Sequence, residues 1–306
     1  MSEILLGYAL PCTLVFIMLG MGMTLTVQDF VRLKEYPRAI VAGLGGQLVL
    51  LPLVGALLAV LWGLRPEFAI GMVILAACPG GTTSNIVSHL ANGDRPLSIS
   101  LTALNSCVVV FTIPLYVALA VQYFAGGTAG NIDLPVLQLM FSVFFYTLVP
   151  VGAGMLVRYY FAEFALKIGP YYDRVAAVAF TLIVLLILWN GQGNLKTILP
   201  LVGGVTITLN VVMTLVGLLL AYMLAMKMRQ AVTIAIEVGI QNTVLGMAVA
   251  TMLDGVNGLS GALMIVPPAV YGLIMYGPAT VMILVGRRIE NGSVETSGIV
   301  KPAVLK

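Results

Sequence analysis

The strongest constraint on this chain is the length of its apolar runs. Stretches of about twenty residues with almost no charge recur from end to end, and each is long enough to cross ~30 Å of hydrocarbon as a helix. A backbone in lipid must satisfy its own hydrogen bonds, so runs of this length are read as helices. Nine spans are predicted, at residues 4–24, 39–62, 68–90, 97–124, 134–156, 175–190, 198–226, 230–253 and 263–285. Only 9% of the residues are charged, against roughly a quarter in an average soluble protein. The expected fold is an all-α polytopic membrane protein with no soluble domain. No basic region precedes the first apolar run and no small-residue cleavage site follows it, so it is taken as a span and not as a removable signal peptide.

The basic residues set the expected orientation. With nine spans, Arg32, Lys34, Arg38, Arg95, Arg158, Lys167, Arg174, Lys227, Arg229, Arg287, Arg288, Lys301 and Lys306 share one side, and only Arg65 and Lys196 lie on the other. The partition of 13 against 2, summing to the 15 basic residues, supports the span count, because a missed span would mix the classes. It puts the N-terminus outside and the C-terminus, with a polar tail over 287–306, in the cytoplasm. A bacterial inner membrane is the expected location.

Within this apolar background the stretch Ile236-Glu237-Val238-Gly239-Ile240-Gln241-Asn242-Thr243 stands out. Glu237 lies seven residues from Gln230, ~10 Å into the bilayer at the helical rise. An intramembrane acid is costly and marks a functional site. The third span is interrupted in a similar way by Cys78-Pro79-Gly80-Gly81-Thr82-Thr83-Ser84-Asn85, where proline removes a helical hydrogen bond and two glycines weaken the rest. Asn85 and Asn242 are 157 residues apart, about half the chain. By the topology above the two interrupted spans enter from opposite sides, as an inverted repeat predicts. The first repeat covers 1–125 and the second 134–286.

Depth brings further residues to the same level. Gln47, Asn85, Thr102 and Glu237 lie six to nine residues from cytoplasmic span ends, or ~9–14 Å from that interface. Four spans supplying polar groups at one depth point to one site. A carboxylate, hydroxyls, amides and freed backbone carbonyls are hard oxygen donors that suit a desolvated Na⁺. No Lys or Arg reaches that level, so an anionic substrate would rest on half-helix N-termini and amide donors.

With these residues in view, the chain resembles the bile acid:sodium symporter family over nearly its whole length. The anchors are Gly20-Met21-Gly22-Met23-Thr24-Leu25, Gln47 with Pro52, the Cys78–Asn85 interruption, Ser98 through Thr102, and Glu237-Val238-Gly239-Ile240-Gln241-Asn242. The resemblance implies inverted repeats forming a panel and a core domain, with two discontinuous helices crossing in the core. It implies two sodium ions. One would be held by Ser84, Asn85, Ser98, Thr102 and Glu237, the other by Gln47, Gln241 and Glu237 with the backbone carbonyls of Val238 and Ile240. Substrate would lie near Thr82, Thr83 and Asn242. Two departures are visible. The first helix of ten-helix bacterial relatives is missing, and Ile274-Met275 replaces a polar pair in the last span. Substrates of similar proteins are organic anions, among them bile acids, steroid conjugates, pantoate and keto acids.

The expected function is sodium-coupled import of an organic anion by alternating access, with no enzymatic activity. A proton-coupled or uncoupled carrier of the same fold stays open, as does, more distantly, a channel or sensor. The remaining motifs have plainer explanations. Gly80 to Ser84 lacks the lysine of a phosphate loop, and Cys12, Cys78 and Cys107 are small apolar residues in apolar runs. The single histidine, His89, has no partners at metal-ligand spacing, and Gly154 is a close-packing position.

Overall fold

The computed structural model describes residues 5–126, 136–190 and 195–297. Among them, eight helices are long and apolar enough to cross a membrane, and a ninth span is a helix pair bent by 62°. In order, α1 is Gly7–Thr24, α2 is Pro37–Leu61, and the bent pair is α3 (Pro66–Ala77) with α4 (Thr82–Leu90). Then come α5 (Arg95–Ala125), α6 (Val136–Tyr160), α7 (Ala162–Asn190) and α8 (Leu195–Met223). The last two spans are α9 (Met228–Gly239) with α10 (Thr243–Met252), and Gly261–Met264 followed by α11 (Val266–Ile274) and α12 (Tyr276–Ser297). The all-α polytopic membrane fold follows directly.

Local chemistry explains the element ends. Pro37 and Pro66 open α2 and α3, where the missing N–H costs nothing. The Asp94 carboxylate accepts from the N–H of Leu97 at 3.2 Å and caps α5. The first interruption is confined to Cys78–Gly81, whereas Thr82 to Asn85 already form the first turn of α4. Pro79 and the two glycines are enough to make the break, and the helix restarts at once. Asn85 therefore sits inside a helix while Asn242 sits in a break, so the spacing of 157 does not pair equivalent positions.

Other expectations change as well. Residues 157–174, left between the predicted spans 134–156 and 175–190, are helical except at Phe161, and α7 starts at Ala162. Pro170 lies within α7 without ending it. At 29 residues, α7 is ~44 Å long and exceeds the hydrocarbon thickness, which leaves room for Glu163 and Lys167 beyond it. The last helix likewise continues past Arg287 to Ser297. Most of the connection expected over 126–133, and residues 191–194 of the next polar turn, lie outside the described residues, as does the extreme C-terminus.

The apolar exterior reads as a lipid surface. Phe141, Phe145 and Val149 on α6, and Leu215 and Leu219 on α8, are exposed large hydrophobics. Tyr123, Tyr159, Tyr160 and Tyr222 are exposed near helix ends, where interfacial aromatics belong. The most apolar part of Met228–Met252, by contrast, is wholly buried. This span is the centre of the molecule, packed along α8 and against α4 and α5. On the other flank α1 lies along α6 and against α7. There a Cβ on Gly22 would stand 2.1 Å from the Val151 carbonyl oxygen, and one on Gly154 2.2 Å from that of Leu19. Only glycine permits this approach, as the close-packing expectation for Gly154 required.

One end of the molecule gathers the loops assigned to one side by charge. Arg229 Nε donates to the Asn92 carbonyl at 3.0 Å, and Arg287 Nε donates to that of Leu90 at 3.0 Å. Below them Ser88 and Thr233 hydroxyls pair at 2.9 Å, and the Asp94 N–H donates to Thr233 Oγ1 at 2.7 Å. The ends of α4, α5 and α9 are thereby joined to one another and to the middle of α12.

Candidate cation and substrate site

Two helix C-termini and two helix N-termini meet at the breaks. α3 ends at Ala77 and α9 at Gly239, while α4 and α10 start just beyond. The breaks touch: the Asn242 N–H donates to the Pro79 carbonyl at 2.8 Å. Helix C-termini carry partial negative charge and N-termini partial positive charge, so one locus offers carbonyls to a cation and N–H groups to an anion.

Glu237 occupies the last turn of α9 and is fully buried. Its carboxylate accepts hydrogen bonds from Ser84 Oγ at 2.9 Å, from Ser98 Oγ at 3.1 Å and from Thr102 Oγ1. Ser98 Oγ also approaches Asn85 Oδ1 at 2.8 Å, and Thr102 Oγ1 approaches it at 3.3 Å. A Cβ on Gly80 would lie 2.5 Å from Glu237 Oε1, so glycine there makes room for the acid. The ion pairs among the described residues are Arg32–Asp29 and Arg65–Glu67, both at 3.8 Å. No basic side chain among the described residues pairs with Glu237.

A second polar group lies beside the first. Residues Gly45–Leu50 of α2 form a π-helical turn that carries Gln47. Such turns interrupt the regular ladder and cluster at functional sites. Gln47 Nε2 donates to the Cys78 carbonyl at 3.0 Å and to Gln241 Oε1, and Gln241 Nε2 donates to the Val238 carbonyl at 2.8 Å. Gln47 Oε1 is buried without a partner. Ile240 is extended within the break itself.

The structure thus brings Ser84, Asn85, Ser98, Thr102 and Glu237 into one cluster, and Gln47, Val238 and Gln241 into a neighbouring one. The hydrogen bonds to Glu237 come from the first cluster. Thr82, Thr83 and Asn242 line a crevice of about 110 Å³ together with Ile17, Tyr172 and Tyr276. The Asn242 side-chain oxygen caps α10 by accepting from Leu245 N–H at 3.1 Å, and its amide nitrogen lies 3.9 Å from Met18 Sδ.

A model of the Sodium Bile acid symporter family matches residues 11–199. The chain belongs to this family. It is 32% identical over 235 residues to the uncharacterized sodium-dependent transporter YocS of Bacillus subtilis, an alignment covering 77% of this chain and 71% of YocS. It is 32% identical over 243 residues to the probable sodium/metabolite cotransporter BASS1 of Arabidopsis thaliana, covering 78% of this chain but 58% of that protein. Identity to the human ileal sodium/bile acid cotransporter is 28% over 246 residues, covering 79% and 68% of the two chains. These relatives are named as transporters, not enzymes, and the family to which the chain belongs is one of transporters. The resemblance drawn from the helix interruptions and the Glu237 stretch holds.

In this protein, sequence reasoning missed the support behind the second break. Asn210 Nδ2 donates to the Gly239 carbonyl at 2.6 Å, and the Tyr271 hydroxyl donates to the same oxygen at 2.6 Å. Both side chains are buried. Asn210 was open to discovery as an amide inside an apolar run. Tyr271 and the crevice residues Tyr172 and Tyr276 had no such signal, because aromatic side chains look like core. Met275 occupies the crevice wall where a polar side chain was expected to be missing.

Proposed function

We propose that this protein is a sodium-coupled symporter that imports an organic anion by alternating access. The observation that carries this reading is a fully buried carboxylate, Glu237, that receives three hydroxyl hydrogen bonds and has no cationic partner among the described residues. A buried charge is retained only when it is paired. A hydroxyl that donates its proton to the carboxylate keeps two lone pairs for a cation. Ser84, Ser98 and Thr102, with the Asn85 carbonyl, therefore form an oxygen cage suited to Na⁺. The unpartnered Gln47 oxygen supports a second ion, held with Gln241, Glu237 and the carbonyls of Val238 and Ile240. That second set now spends its amides on one another, so it rearranges when an ion enters.

The anion rests in the crevice beside Thr82, Thr83 and Asn242, at the positive ends of α4 and α10. Ion occupancy neutralises the acid and orders both breaks, which creates the anion site. We read α1, α6 and α7 as the panel and the remaining spans as the core that moves against it, the two repeats being of opposite orientation. The N-terminus faces outward, the C-terminus faces the cytoplasm, and a bacterial inner membrane is the setting. Uptake into proteoliposomes under imposed sodium and proton gradients tests the reading. Uptake should follow the sodium gradient and disappear in Glu237→Gln; uptake driven by protons and indifferent to sodium would overturn it.

A further inference from the structure

We infer that Tyr172 sets the size of the anion this transporter accepts and restricts it to compact carboxylates, excluding steroid conjugates. The inference rests on the crevice being the substrate site. Tyr172 projects from α7 onto the opposite wall, where its ring stacks on Phe16 with centroids 4.0 Å apart and planes inclined by 13°. Its hydroxyl donates to the Phe16 carbonyl at 2.6 Å. The ring also lies over Gly20, where a Cβ would come within 2.5 Å of it. A glycine beneath, a stacked ring beside and a hydrogen bond at the tip hold the phenol flat against α1. It is thus a fixed wall of the crevice, unlike a side chain free to swing aside.

The remaining space is small. The crevice holds about 110 Å³ beside its open mouth, room for the carboxylate end of a small acid but not for a fused four-ring nucleus. Ile17, Phe180 and Met275 make the rest of its lining largely apolar. No Lys or Arg among the described residues lines it, so the carboxylate of the guest relies on amide and backbone N–H donors. Removing the phenol would deepen the crevice towards α1 by one aromatic ring. A methyl group on Gly20 would act in the opposite sense, pushing the ring into the space.

Thermal unfolding of the full chain in detergent with Na⁺ present, using pantoate and taurocholate as compact and bulky probes, tests this. Tyr172→Ala should be stabilised by taurocholate at concentrations at least about tenfold lower than wild type requires, the scale on which apolar pockets discriminate size. Tyr172→Phe keeps the wall and should keep the wild-type ratio of responses to the two probes. Gly20→Ala should weaken the pantoate response, and adding Tyr172→Ala to it should restore that response. A merely structural role predicts no such rescue. Tyr172→Leu serves if the alanine variant does not fold. Equal responses of wild type and variant to taurocholate, whether both bind it or neither does, overturn the proposal. The cation-site reading fails separately, by absence of a sodium-induced shift in anion-free melts.

Discussion

The Asn242 N–H and the Pro79 carbonyl, 2.8 Å apart, tie the two helix breaks together. Neither break is a loose loop. Each is anchored to the other and braced from outside, by Gln47 on the Cys78 carbonyl and by Asn210 and Tyr271 on the Gly239 carbonyl. In the proposed mechanism, ion occupancy at Glu237 and anion occupancy at Asn242 would act on this one junction, which would couple them.

Replacing Gly80 by alanine should damage the ion site and leave the fold intact. The new methyl group would stand 2.5 Å from Glu237 Oε1 and 3.3 Å from Ser84 Oγ. Both are ends of side chains that can shift, so the helices stay but the oxygen cage opens. The sodium concentration for half-maximal stabilisation should rise about ten- to hundredfold, the range seen when groups orienting metal ligands are lost. A sodium titration followed by thermal unfolding measures this.

Asn210→Ala and Tyr271→Phe should each lower stability by ~0.5–1.5 kcal/mol, because each removes one hydrogen bond to the buried Gly239 carbonyl. The single substitutions should cost less than half of the double one, since either donor alone still satisfies that oxygen. Denaturant unfolding in detergent gives the comparison. Additive losses would mean that the two donors do not share one acceptor.

The contact between α1 and α6 should tolerate no side chain. Gly154→Val would place its Cβ 2.2 Å from the Leu19 carbonyl oxygen and 2.8 Å from Gly22 Cα, both backbone atoms. The two helices must separate, and the yield of monodisperse protein in detergent should collapse. The exposed Val149→Leu change on the same helix should leave it unaltered.

The spans and the polar cluster around Glu237 were legible in the sequence for one reason. In lipid every polar group is conspicuous, and counting residues along a helix gives its depth. That reasoning found Gln47, Asn85, Thr102 and Glu237 on four spans. It could not see that Asn85 restarts a helix while Asn242 interrupts one, since both follow apolar runs and stand beside hydroxyl residues. It also started the sixth span too late, at 175, whereas the charged stretch before it is already helical and only Phe161 leaves the helix. The crevice was illegible for a different reason. Tyr172 and Tyr276 do their work through packing across the chain, and packing leaves no local signature.

The central claim is that Glu237 and its hydroxyl partners bind sodium. Equilibrium binding of radiolabelled sodium to the purified full chain in detergent, without any anion, addresses it most directly. The account predicts saturable binding in the wild type, loss in Glu237→Gln, and a marked weakening in Thr102→Val. Undiminished binding in Glu237→Gln, or no saturable binding in the wild type, would contradict it.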